Sequence, residues 1–192
     1  MLEAAETLLA ESGYASITID QIAERAGVSK ATIYRWWPTK AAIFMELYAK
    51  LGSRVHQPPA DTGSLGGDLR EQVRSAFRLF RETVAGLALA GFVAEGQSNP
   101  QTARMLRDNF AMQRRQLNVT LLERGVRRGE LAPKLSLEVA SEVITGAVYY
   151  ALLIGQATFS DERADEIVRV ILHGLEARPT AAALPSTKTR RR

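Results

Sequence analysis

Apolar residues recur at helical spacing along the 192-residue chain, and glycines, prolines and polar clusters cut the pattern into segments. Leu2, Ala5, Leu8 and Leu9 form one face of a first helix predicted over residues 2–12, with Gly13 as its stop. Tyr14 and Ile17 are placed to close a small core. Ile22, Ala23 and Ala26 mark a second, short helix. Residues 30–36 make a third, and residues 40–55 a fourth whose Ala41, Ile43, Phe44, Leu47, Tyr48 and Leu51 cover a wide stripe. Two prolines and three glycines within residues 57–67 predict a loop and a domain boundary. A fifth helix is expected from Asp68 to about Leu89. A nearly uncharged stretch, VAGLALAGFVA, is expected to be a buried helix pair or a place where small residues leave room for a ligand. A long helix follows from Pro100 to about Arg128; its arginines, Arg104, Arg107, Arg114, Arg115, Arg124, Arg127 and Arg128, are read as a solvated face, with a surface for an anionic effector or a second nucleic-acid contact as the alternative. Two apolar helices are then predicted over residues 136–156 and 161–177. The pattern predicts an all-α chain of about nine helices, with residues 1–50 and 51–177 as its two domains. Residues 178–192 have no periodicity and are expected to form a disordered basic tail.

The densest set of local signals lies between Thr18 and Lys40. Thr18 is a candidate N-cap, with Gln21 three residues later completing a capping box. Gly27 suits a helix end that needs positive φ. Ser29 is placed to cap the next helix and Thr39 the one after, while Pro38 blocks continuation between them. Two short helices joined by a tight Gly-containing turn are a helix-turn-helix, whose second helix enters the DNA major groove. The candidate DNA-contacting residues are Thr18, Ser29, Lys30, Ala31, Thr32, Tyr34, Arg35, Trp36 and Lys40. Lys30 and Thr32 are donors for base edges; Tyr34, Arg35 and Lys40 reach for phosphate oxygens.

Charge changes this picture. The net charge of +4 suggests a nucleic-acid binder. However, the last fifteen residues hold five basic groups and no acid, and without them the chain has 20 basic residues against 21 acidic. The support is local instead: five basic residues and one acid, Glu46, between Arg25 and Lys50. There is no cysteine, which excludes disulfides, thiolate metal sites and cysteine nucleophiles and fits a reducing cytoplasm. The acidic start argues against a signal peptide. The longest near-apolar run is 12 residues, short of the roughly 20 that cross a bilayer. His56 and His173 are the two histidines, and neither has partners at catalytic or metal-ligand spacing. No metal, cofactor or enzymatic constellation is expected.

The residues Ala23, Ala26, Gly27, Val28, Ser29, Thr32, Tyr34, Trp37 and Lys40 resemble the AxxAGVSxxTxYxxFxxK signature of the TetR-type transcriptional repressors. Trp37 stands for the usual Phe, and Trp36 for a His or small aromatic. The resemblance implies a cytoplasmic homodimer that binds a double-stranded palindromic operator and is released by a small hydrophobic or amphipathic effector. It implies that the fourth helix links effector domain to DNA. It also places the last two helices in an intersubunit four-helix bundle. The interface candidates are Val143, Ala147, Tyr150, Ile154, Ile167, Ile171 and Leu175. An effector pocket would draw on Phe77, Phe80, Phe92, Met105, Phe110, Met112 and Tyr149, which are equally ordinary core residues. The alternative is a helical protein-interaction module.

Overall fold

A computed structural model of the chain describes residues 1–55, 61–132, 134–154 and 158–175. The predicted tail, residues 178–192, lies outside them. The regular elements are helices: α1 Leu2–Ser16, α2 Ile19–Ala26, α3 Lys30–Trp36, α4 Lys40–Val55, α5 Leu65–Glu82 and α6 Ala85–Gly96. Next, α7 runs as one rod through Pro100–Met105, a π-helical segment Leu106–Ala111 and Met112–Arg127. The backbone stays helical at both junctions. Last come α8 Leu137–Leu153 and α9 Asp161–Leu175. This gives nine helices among the described residues.

The centre of the molecule is α4. Ala41, Ile43, Phe44, Leu47, Tyr48 and Leu51 are all buried, so its wide apolar stripe is packed on α1 at one end and α6 along its length. Fully burying side chains of this size stabilises a fold by roughly 1.5–3 kcal/mol each. Gly13 breaks α1 with φ 71, a conformation that L side chains adopt only at a cost. The break sends Tyr14 inward, where its ring lies 5.0 Å from that of Phe44.

Three expectations are corrected. The predicted fifth helix, Asp68 to Leu89, is two helices. Thr83 is extended (φ −140, ψ 170), its hydroxyl donates to the carbonyl of Leu79 at 2.6 Å, and it accepts from the amide of Ala85 at 3.1 Å. One side chain thus ends α5 and starts α6. The first of these helices also begins earlier than Asp68, at Leu65, because Ser64 caps it through the amide of Gly67 at 3.1 Å. The small residues of α6 leave no room for a ligand. A Cβ on Gly91 would stand 2.1 Å from Cγ of Tyr14, and one on Gly96 2.5 Å from Cδ1 of Leu106. These glycines are where neighbouring side chains press onto the helix backbone.

Long-range polar contacts fasten the outer helices. Arg74 grips Asp165 through two hydrogen bonds, Nε to Oδ1 at 2.8 Å and Nη2 to Oδ2 at 2.5 Å, tying α5 to α9. Asp68 is buried, and accepts from the amide and hydroxyl of Thr62 (2.7 and 2.8 Å) and from Arg128 at 3.1 Å. Burial pushes its pKa up, but the hydrogen bonds from Thr62 and Arg128 outweigh that and hold it below the usual carboxylate range. Arg128 also pairs with Asp61. The arginine-rich face of α7 is therefore not uniformly solvated: Arg114 and Arg128 are half-buried, whereas Arg104, Arg107, Arg115 and Arg127 are exposed.

Candidate nucleic-acid interface

The predicted caps between Thr18 and Lys40 form. The hydroxyl of Thr18 accepts from the amide of Gln21 at 3.3 Å, and Oε1 of Gln21 accepts from the amide of Thr18 at 2.8 Å. Gly27 takes φ 65, and the following amide, Val28, returns to the carbonyl of Ala23 at 3.0 Å. Ser29 caps α3 through the amide of Thr32 at 3.2 Å, and Thr39 caps α4 through the amide of Ala42 at 3.1 Å. Each cap satisfies donors that a helix start leaves orphaned, which is how helices as short as seven and eight residues hold their ends.

Only Ile33 of α3 is buried. Lys30, Ala31, Thr32, Tyr34, Arg35 and Trp36 are all exposed, as are Thr18 and Ser29, so all the expected contact residues except Lys40 are open to solvent. Trp36 leaves 68% of its surface in water. Arg35 lies over its ring, 5.7 Å from the centroid, presenting a cation and a flat apolar face together. Lys30 pairs with Asp20 at 2.6 Å, but both are well exposed. Such a pair contributes about 0–1 kcal/mol and is readily exchanged for a phosphate.

Of the expected contact residues Lys40 stands elsewhere than the sequence suggested, and Trp37, which was assigned no contact, is tied to α4. Lys40 turns inward: its Nζ donates to the carbonyl of Tyr14 at 3.0 Å and sits 4.3 Å from that ring's centroid. Burial pulls its pKa down. In this conformation Lys40 fastens α4 to α1 and is not extended toward solvent. Trp37 is half-buried, and its indole N–H donates to Oε2 of Glu46 at 2.7 Å. Glu46 entered the sequence reading only as the one acid of the basic patch, because nothing in a 3.6-residue pattern pairs it with a residue nine positions earlier.

Behind this unit Tyr14 carries a polar chain. Its hydroxyl donates to Oε2 of Glu95 at 2.7 Å, and Oε1 of Glu95 accepts from Thr102 at 2.8 Å. Burial first, and then the bond to Glu95, push the Tyr14 pKa up. Tyr14 thus touches α4 and α6 directly and reaches α7 through Glu95.

The pocket and interface candidates divide. A groove of about 480 Å³ opens between α4 and α7, with Met45, Tyr48, Phe110 and Leu117 on its walls. A smaller cleft of about 30 Å³ adjoins it, lined by Phe80, Asn118, Thr145 and Tyr149 among others. Of the expected pocket residues, Phe110, Phe80 and Tyr149 line these two spaces. Phe77 and Phe92 are closed core, packed edge-on against Phe159 and against Tyr48 and Phe110. Met105 lines neither space, and Met112 is 62% exposed. The π-helical segment, which lies between them, explains Met112. One extra residue in a turn rotates all that follows by about 100° relative to an unbroken 3.6-residue repeat. On α8, Val143, Tyr150 and Ile154 are exposed and Ala147 half-exposed. Ile167 on α9 is partly buried, but Ile171 is only 7% exposed. Ile171 faces its own chain's core and is corrected from interface to core. The side chain of Leu175 lies outside the described set.

A capped, outward-facing second helix on a small helical unit defines a DNA-binding protein of the helix-turn-helix class. Residues 1–47 match the family described as bacterial regulatory proteins of the tetR family, and residues 59–171 match the tetracyclin repressor-like C-terminal domain. The chain belongs to the TetR family and is a DNA-binding transcriptional regulator. It is 36% identical over 177 residues to YdeS, an HTH-type transcriptional regulator of Bacillus subtilis (strain 168), covering 92% of this chain and 88% of that one. It superposes on the crystal structure of the TetR family regulator SCO0332 with a TM-score of 0.72 at 29% identity, covering 91% and 95% of the two chains. The fold is shared with FadR of B. subtilis, solved with stearoyl-CoA, at a TM-score of 0.71 and 20% identity, covering 91% and 97%. Among the described residues no helix is long and apolar enough to cross a membrane.

Proposed function

We propose that the chain acts in the cytoplasm as a homodimeric repressor, released from a palindromic operator by a small amphipathic effector. Residues 1–50 would bind DNA, and residues 51–177 would carry the effector and the dimer contacts. The observation that carries this reading is the pairing of two exposed surfaces without a role in the monomer. One is the recognition helix α3. The other is the apolar stripe Val139, Val143, Tyr150 and Ile154 on α8. An isologous contact through α8 and α9 places two copies of α3 about a two-fold axis. They then enter successive major grooves about 34–36 Å apart, or a multiple of that. Lys30 and Thr32 read base edges, while Tyr34, Arg35 and Trp36 contact the backbone. An effector that favours a different separation of the two α3 helices lowers operator affinity, and operator lowers effector affinity by the same factor.

The test is binding to duplexes selected from random sequence, measured by anisotropy across a salt series. The expected result is a palindromic consensus, and an affinity that falls linearly with salt on logarithmic axes. Absence of duplex binding at low salt would overturn the DNA reading.

A further inference from the structure

The groove between α4 and α7 has features that neither DNA binding nor dimerisation uses. Its volume, about 480 Å³, is that of a small-molecule site. It is walled by Met45, Phe110 and Leu117, and its inner wall is the pair Tyr48 and Arg114. Arg114 donates from Nη2 to the hydroxyl of Tyr48 at 2.7 Å, with its guanidinium 6.0 Å from the Tyr48 ring centroid. The same two residues also line the smaller adjoining cleft. In that cleft the hydroxyl of Tyr149 is sealed from solvent and has no hydrogen-bond partner. Leaving a hydroxyl unpaired there costs about 1–3 kcal/mol. A half-buried cation and an unsatisfied hydroxyl thus stand on the two sides of one hydrogen-bonded wall. Anionic oxygens suit both groups.

The groove also reaches the recognition helix. Glu46 lines its rim, and Oε2 of Glu46 accepts the indole N–H of Trp37, the residue that ends α3. A phenylalanine at position 37 would have no N–H to give, so this link depends on the tryptophan in this chain.

We propose that the α4–α7 groove binds an amphipathic anion, with Arg114 as its charge anchor, and that occupancy is relayed to α3 through Glu46 and Trp37. The anionic head sits at Arg114, within reach of the cleft that holds Tyr149. The apolar body lies on Met45, Phe110 and Leu117. Like charge on the ligand and on Glu46 weakens the hold on Trp37 and frees the end of α3. The inference rests on the effector reading above, and names the site, the ligand class and the relay.

Trp36 and Trp37 are the two tryptophans, so a Trp36→Phe dimer reports on Trp37 alone. Titration with sodium dodecanoate, below its micellar concentration, should shift Trp37 emission saturably. 1-Dodecanol should bind at least tenfold more weakly. Arg114→Met should weaken dodecanoate about tenfold, and Arg114→Lys should recover part of the loss. In the otherwise native chain, Glu46→Ala should bind dodecanoate more tightly, because it removes the like charge on the rim, and Trp37→Phe should bind it no more weakly than the parent, while in both variants its ability to release a selected duplex should fall at least fivefold. Equal binding of acid and alcohol, or an Arg114→Met variant that binds like the parent, would overturn the anchor. Unchanged release from Trp37→Phe would overturn the relay. Dodecanoate that binds and moves Trp37 without altering duplex affinity would uphold the site and defeat the effector reading. Release by a cell extract, with no dodecanoate binding, would do the reverse.

Discussion

The helix-turn-helix end and the α5–α7–α9 body are held together by different kinds of contact. Between Thr18 and Ala42 the caps join residues three apart in sequence. In the body the polar ties join residues 60 and 91 apart, Asp68 with Arg128 and Arg74 with Asp165, and Tyr14 with Glu95, 81 apart, ties α1 to α6 between the two regions. The first kind fixes the shape of a helix, and the second fixes where helices stand relative to one another. Because α3 buries only Ile33, it is a rigid but lightly seated element. Its position is set by what holds α4 and Trp37. A reading head whose shape is local and whose placement is remote can be moved without being unfolded, which a ligand-controlled regulator requires.

The strongest way to break the contrast is to remove a remote tie. Asp68→Ala leaves Arg128 half-buried without its closest buried carboxylate and should cost about 3 kcal/mol in urea unfolding at pH 7, within the range for splitting a buried pair. The pH dependence has a definite sign. Asp68 has a folded pKa below its unfolded value of about 3.9, so its contribution is complete above that pH. The contribution is lost as pH falls through the folded value. The acid limb of the stability curve should therefore flatten in Asp68→Ala. An unchanged limb would show that another carboxylate carries it.

The same contrast explains what was legible in the sequence. Thr18, Ser29 and Thr39 could be assigned their roles because each acts on an amide three positions away, and Gly27 because its own positive φ ends α2. Periodicity found α4 and its buried stripe. It could not find the α5–α6 break, which depends on a single hydroxyl at Thr83. It misplaced Met112 because the π-helical segment resets the phase of α7, and no residue type announces such a segment. Ile171 fitted either a core or an interface, since α9 is apolar on more than one face and only the packing on α5 decides which face turns inward. The pairings of Glu46 with Trp37 and of Arg114 with Tyr48 were not legible, because each partner lies outside the helix that carries the charged residue.

A second effect, smaller than the loss of Asp68, concerns the dimer. Val143 is exposed on α8, and its replacement by Asp should leave the fold intact while weakening association by about 2 kcal/mol, the level of an interface hot spot. Sedimentation should then show monomers at concentrations where the parent is dimeric, with an unchanged thermal midpoint for the monomer fold. An Ile171→Asp variant should instead unfold, because that side chain is core. Monomers from Ile171→Asp with the fold retained would return it to the interface.

Smaller again is the loss of a local cap. Thr18→Ala removes the acceptor for the amide of Gln21 and should cost about 1 kcal/mol. The loss should appear as faster hydrogen exchange in α2 and not in α5, because the cap is confined to one helix. Protection lost in both would mean that the reading head and the body are a single cooperative unit.

The smallest effects on stability, and the most informative on function, belong to the exposed residues of α3. Arg35→Ala and Tyr34→Phe should each change stability by less than about 0.5 kcal/mol, as surface substitutions do. Their effect should be on DNA. If Arg35 neutralises one phosphate, Arg35→Ala should weaken binding to every duplex by a similar factor and reduce the salt slope by about one. Lys30→Ala should behave differently. Lys30 already has an exposed partner in Asp20, so its removal leaves the free protein nearly unchanged. It should relax the preference at one base pair in each half-site, at about 1–3 kcal/mol of discrimination. Measuring both variants on a matched and a single-mismatch duplex separates the two roles. Equal losses on both duplexes for Lys30→Ala would make it a backbone contact and leave base reading to Thr32 and its neighbours.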